Sequence, residues 1–316
     1  MKKLFAIAAV VAVALTSCVK NEVITPDSEI NFKAVNYKNT KAEVHGPNDT
    51  NTYKENEHFG VFAFPSYNTT EQYMAKEEIY KQGSEWKAAT PYYWLKNGHT
   101  LTFAAYSPYV FEGAGIVTAT YAEGIAIESY TTNNDLTKQV DLMVSDLHTQ
   151  GSGVVNVPFK HTLSQIKFTV KPAEADYALT SIVINSVTFT VAPTADYAST
   201  NGTFANSAWT NPSGVMVYDI VDVDYSLDLT DTNRQSFGVP VLIIPQNAVD
   251  IRVDYTITDI HGNEQTCYAV YTHDAGKTWA KNTIYNYHLA IGMNEITFDP
   301  EVVSWESEDI ITGEWR

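Results

Sequence analysis

The chain is 316 residues long and 44% hydrophobic, with 20 Lys+Arg against 37 Asp+Glu and a formal net charge of −17. That length suits about two domains with sizeable apolar cores, and the apolar share lies well above the disordered range. So acidic a surface repels phosphate backbones, which argues against nucleic-acid partners, and no apolar run in the sequence reaches the roughly 18 residues of a spanning helix.

The N-terminus begins with Lys2 and Lys3 and an apolar stretch at 4–15, the length of a signal-peptide core. It ends in Leu15-Thr16-Ser17-Cys18, an aliphatic residue, two small residues and Cys, which is the lipobox pattern. Thioether attachment of a diacylglycerol needs the Cys18 sulfur, and cleavage between Ser17 and Cys18 needs small side chains. Residues 1–17 are therefore expected to be a lipoprotein signal peptide, and 18–41 a lipidated tether with the first strand. Cys267 is then left without a disulfide partner, inside an apolar strand pattern. It reads as a small buried residue, since a reactive thiol needs a nearby base and none is adjacent in sequence; His261 or His273 could approach across a hairpin.

Glu29 to Val35 alternates, with Ile30, Phe32 and Ala34 on one face, and a polar loop follows at 36–57. Strands are expected at 59–64, in a hairpin across Gly83 ending near Trp86, and at 101–107, 125–130 and 140–145. Residues 71–81 suit either a short helix or one arm of that hairpin. Further strands are expected at 163–170, 181–191, 215–229, 239–245, 251–259, 265–272 and 284–291. Asn97-Gly98 and Asn201-Gly202 supply hairpin turns. With 20 Tyr, 13 Phe and 6 Trp and no sustained helical stripe, the pattern predicts an all-β protein of β-sandwiches. Thr149-Gln150-Gly151-Ser152-Gly153 breaks the composition and places a boundary between sandwiches at 42–150 and 151–316. The second half shows no internal repeat of the first.

Chemistry is sparse. The eight histidines are scattered, with no His-Glu-x-x-His, no Gly-x-Ser-x-Gly and no phosphate loop, so no catalytic residue, metal or cofactor is expected. A triad assembled from distant residues leaves no local signature. Asp222, Asp224 and Asp228 alternate with apolar residues and read as the solvated face of a strand rather than a calcium loop. Pro91-Tyr92-Tyr93-Trp94 suits either a sugar-stacking platform or corner packing.

Several segments together resemble the fimbrillin family, the subunits of type V pili in Bacteroidales, including its Mfa-like branch. They are the lipobox, Ile30-Asn31-Phe32, Asn39-Thr40-Lys41-Ala42, Phe59-Gly60-Val61-Phe62-Ala63-Phe64, Trp86 with Tyr92-Tyr93-Trp94, and Leu101 to Pro108. Asp141-Leu142-Met143-Val144, Val157 to Ile166, Leu242-Ile243-Ile244-Pro245-Gln246 and Tyr285-Asn286-Tyr287-His288-Leu289 continue the likeness to about residue 306. The resemblance implies two transthyretin-like sandwiches in tandem, export as a lipoprotein to the outer membrane, and display on the cell surface in a fimbria. It also implies protease cleavage in the 36–57 loop, here between Lys41 and Ala42, and loss of the first strand, with a strand of another subunit filling the gap. Lys41 stands where the family has Arg. The only arginines are Arg234, Arg252 and Arg316, so the chain is either cut by a Lys-tolerant protease or stays uncut as an anchor.

Residues 296–316 are read as a two-part strand broken at Pro300, either donated to another subunit or completing its own domain. Ile30, Phe32, Ile296, Phe298 and Trp305 are the strand-exchange candidates. The expected partners are other fimbrial subunits, the membrane through the lipid, and a host or bacterial surface glycan or protein. A surface glycan-binding lipoprotein of a polysaccharide-uptake system is the alternative function.

Overall fold

The computed structural model describes residues 28–36, 58–83, 85–111, 115–173, 179–221, 224–293 and 296–305. The chain runs through β1 (Asn31–Asn36), β2 (Phe59–Pro65), β3 (Met74–Gln82), β4 (Glu85–Ala88), β5 (Leu101–Ser107) and β6 (Ile116–Thr120). It continues with β7 (Gly124–Thr131), β8 (Met143–Ser145), β9 (His148–Gln150), β10 (Val154–His161), β11 (Ser164–Pro172) and β12 (Leu179–Val191). Then come β13 (Thr194–Thr200), β14 (Thr203–Ser213), β15 (Met216–Asp219), β16 (Tyr225–Ser226), β17 (Gln235–Ile243) and β18 (Gln246–Asn247). The last are β19 (Ile251–Asp259), β20 (Glu264–Tyr271), β21 (Thr278–Trp279), β22 (Thr283–Ile291) and β23 (Ile296–Ser304). One 3-10 turn, Leu136–Lys138, is the only helical element among the described residues. The protein is all-β, as its composition predicts.

In the first part, β2, β3, β4, β1, β10, β8 and β5 pair in that order, and β5 pairs back to β2, so the sheet closes on itself. β2 and β5 are buried along their whole length because they are apolar on both faces. Phe59, Val61, Leu101 and Phe103 turn into the closed sheet. Phe62, Phe64 and Tyr106 share a second core with β6, β7, β13 and β14. Glycine suits position 60, since a Cβ there would clash with Cε1 of the buried Tyr106 ring. In the second part, the β17-β11-β22-β23 and β15-β12-β19-β20 sheets share a core that includes Ile166, Phe168, Val170, Ile184 and Tyr287.

Several expectations change. Strands on either side of residue 151 share sheets: β10 pairs with β1 and β8, and the β13–β14 hairpin pairs with β7. A repeat does exist, in connectivity: β1 runs parallel to β10, and β11 runs parallel to β22. Sequence hides it because little beyond Ile30-x-Phe32 and Ile166-x-Phe168 is shared. Residues 71–81 contribute to strand β3, not a helix. The stretch 215–229 is not one strand: β15 ends at Asp219, β16 is two residues, and Asp228 accepts from the Thr230 backbone N–H at 2.8 Å in a turn. β23 passes through Pro300 unbroken, as an edge strand allows.

Candidate functional site

The site is the slot that β1 fills. Alternation puts Ile30 and Phe32 on the inner face, 2% and 3% exposed, with Ala34 half-buried beyond them. On one side β1 pairs in parallel with β10, from Asn31↔Val154 to Asn36↔Phe159. On the other it meets β4 at Phe32↔Trp86. The Phe32 ring stands edge-on to Phe59 and Phe103, with centroids at 6.1 and 5.8 Å. Phe59 carries the packing on to Trp86 and Phe159. A residual void of about 10 Å³ lies among Phe32, Val61, Phe103 and Val157. That is at the lower limit for one water, so the strand fills its slot. Burying the Ile30 and Phe32 side chains contributes about 1.5–3 kcal/mol each.

The start of β1 is clamped by the segment before β5. Ile30 N–H donates to Tyr92 O at 2.8 Å, and Trp94 N–H donates to Ser28 O at 3.2 Å. This assigns the 91–94 cluster: Trp94 is core, edge-on to Phe103, while Tyr93 stays 42% exposed. Burial, then the hydrogen bond to Glu77, pushes the Tyr92 hydroxyl up to about 12. Corner packing accounts for Tyr92 and Trp94, and Trp94, being buried, offers no sugar-stacking face.

The other candidates lie apart from the slot. Ser17, Cys18, Lys41 and Ala42 fall outside the described residues. Ile296 and Phe298 sit on β23, half-buried against the core of the second part that holds Phe168 and Tyr287, with β23 paired to β22 from Ile291↔Ile296 to Thr283↔Ser304. β23 therefore completes its own sheet in this chain. Trp305 is fully buried in the core shared with β6 and β7, and its backbone N–H donates to Asn282 O at 3.1 Å. There it lies flat on His161, with ring centroids 4.0 Å apart and planes within 3°. His161 Nδ1 is 2.5 Å from Asp141 Oδ2, and both side chains are wholly buried. Sequence reasoning missed this pair and the slot walls Phe59, Phe103 and Phe159. Strand periodicity places the phenylalanines in a core, but nothing local links Asp141 to His161.

Among the described residues no group of three His, Cys, Asp or Glu side chains is placed to hold a metal ion. No helix among them is long and apolar enough to cross a membrane. Cys267 lies on β20, partly exposed, with Sγ 4.0 Å from Gln265 O.

A sequence profile of a family described as fimbrillin-like matches residues 40–305. No curated protein matches the chain. Among solved structures, a fimbrial protein from Bacteroides vulgatus ATCC 8482 superposes with a TM-score of 0.65 at 19% identity, covering 88% of this chain and 100% of that one. A candidate cell adhesion protein from Bacteroides uniformis ATCC 8492 follows with a TM-score of 0.54 at 14% identity, covering 88% and 98%. Another from Bacteroides ovatus ATCC 8483 gives 0.52 at 13% identity, covering 90% and 99%. At these identities the likeness speaks to the fold.

Proposed function

The chain belongs to the fimbrillin-like family, and from that premise we propose that it is a structural or adhesive subunit of a cell-surface fimbria whose copies join by strand exchange. The observation that carries the reading is β1. It is a short strand inserted between β10 and β4, and residues 37–57 separate it in the chain from β2. Its removal would leave unpaired backbone on β10 and an apolar slot walled by Phe59, Phe103 and Phe159. A strand from another subunit satisfies both at once, through main-chain hydrogen bonds and pocketed side chains at alternate positions. Ile296-x-Phe298 on β23 repeats the spacing of Ile30-x-Phe32, so the chain carries a second segment shaped for such a slot.

In this reading the fold is a tandem of transthyretin-like sandwiches. Signal peptidase cuts between Ser17 and Cys18, and acylated Cys18 carries the chain to the outer membrane. A diacylglycerol plus a further acyl chain satisfies the two-anchor rule for stable attachment. Cleavage between Lys41 and Ala42 then frees β1 to leave. The partners are other fimbrial subunits and, for an adhesive subunit, a glycan or protein on a host or bacterial surface.

Surface material sheared from expressing cells tests this. A high-molecular-weight ladder in unheated gels, with a mature N-terminus at Ala42, is expected. Monomer alone, with an acylated N-terminus at Cys18, overturns the exchange mechanism.

A further inference from the structure

His161 ends β10, Asp141 precedes β8, and Trp305 is the first residue past β23, so three distant segments meet in one buried cluster. His161 and Asp141 are polar, while Trp305 belongs to an apolar core. Besides the 2.5 Å contact between them, His161 Nε2 and Asp141 Oδ1 have no hydrogen-bond partner among the described residues. Such groups are tolerated away from water only when something holds the pair together and keeps solvent out. The Trp305 indole, flat on the imidazole at 4.0 Å, does this from one face.

β23 has little else of comparable burial. Thr297, Asp299, Pro300, Glu301, Val302 and Ser304 are exposed, Val302 at 60%. Ile296, Phe298 and Val303 are half-buried, and among the described residues β22 is its one strand neighbour. The wholly buried anchor is therefore the residue at its end.

We propose that Trp305 on the His161–Asp141 seat is a latch: while it is seated β23 stays on β22, and when it leaves the strand comes free with the sandwich cores still folded. The role of such a latch rests on the strand-exchange reading, because a strand able to leave its own sheet is one that can be given away. The latch itself is a property of the single chain.

Hydrogen exchange on the monomeric full chain, read peptide by peptide, is the test. In Trp305→Ala the amides of 296–304 should exchange on the order of 100-fold faster, while β11, β12 and β19 stay within about threefold of wild type, as for a local opening. Trp305→Phe keeps a ring on the imidazole and should restore most of the protection. Asp141→Asn, which loosens the seat without emptying it, should fall between. Unchanged protection of β23 in Trp305→Ala overturns the proposal. So does loss of protection in step across β11, β12 and β23 in both Trp305 variants, which would make Trp305 ordinary core. Neither outcome depends on polymerisation: an intact latch in a chain that never forms ladders would count against strand exchange alone.

Discussion

β1 and β11 occupy equivalent places: each runs parallel to a later strand, β10 or β22, and each presents Ile-x-Phe to a core. Their retention differs. β11 pairs with β22 over nine residues and with β17 on its other side from Ser164↔Ile243 to Val170↔Gln235, and two residues, Thr162 and Leu163, join it to β10. β1 pairs over six residues, touches β4 at one register position, and is joined to β2 by the long 37–57 segment. Phe168 lies 5.4 Å from Tyr287 and 6.1 Å from Phe237, much as Phe32 lies against Phe59 and Phe103. The inner side chains are thus matched. Under the proposed exchange, what sets β1 apart from β11 is its shorter pairing and the long segment that separates it from the next strand.

The sharpest way to break the comparison is one charge in each slot. Phe168→Asp buries an unpaired carboxylate where the strand cannot leave, and should cost more than about 4 kcal/mol and unfold the second part. Phe32→Asp should instead expel β1 and leave a soluble chain whose β11–β22 amides remain protected, as hydrogen exchange would report. Equal global unfolding by both would erase the distinction. Phe32→Ala should lower stability by about 3–5 kcal/mol, with lost protection concentrated in β1, β4 and β10.

A smaller effect is expected where neither slot is touched. Lys281 Nζ donates to Phe204 O at 2.6 Å and to Ser207 O at 2.5 Å, tying β14 to the entry of β22. Lys281→Met should cost about 2 kcal/mol and loosen the β13–β14 hairpin, because buried carbonyls lose a charged donor. Calorimetry with exchange across 194–213 would show it.

The smallest effect is that of pH. Burial holds the His273 imidazole below its ordinary value near 6.5. The unfolded chain then takes up a proton before the folded one, so this contribution is complete above about 6.5 and declines as pH falls below it. The Arg252 hydrogen bond holds Asp254 below 3.8, and Asn263 does the same for Asp259, so further stability goes in stronger acid. His273→Gln should flatten the change in melting temperature between pH 7.5 and 5.5. An unaltered slope would place the sensitivity elsewhere.

Much of this was readable in the sequence. The alternation of Ile30, Phe32 and Ala34, the double-faced apolar runs of β2 and β5, and the Asn201-Gly202 hairpin turn fix local structure through steric and burial rules that act within a few residues. Asn97-Gly98 instead turns the chain between β4 and β5, which do not pair. What stayed hidden are pairings between distant segments: β13 with β7, β10 with β1, and Asp141 with His161 and Trp305. Periodicity names the buried face of a strand but not the sheet it joins. The expected break at Pro300 failed for the same reason, since an edge strand has no ladder on one side to disrupt.

The central claim, that β1 fills an exchangeable slot, is tested most directly by peptide binding. The chain beginning at Ala42 is mixed with a synthetic peptide of residues 28–36, and binding and melting are followed together. The account predicts one peptide bound per chain, a higher melting temperature, and no binding of the same peptide carrying Phe32→Asp. A truncated chain that melts like the full-length protein and ignores the peptide would contradict it.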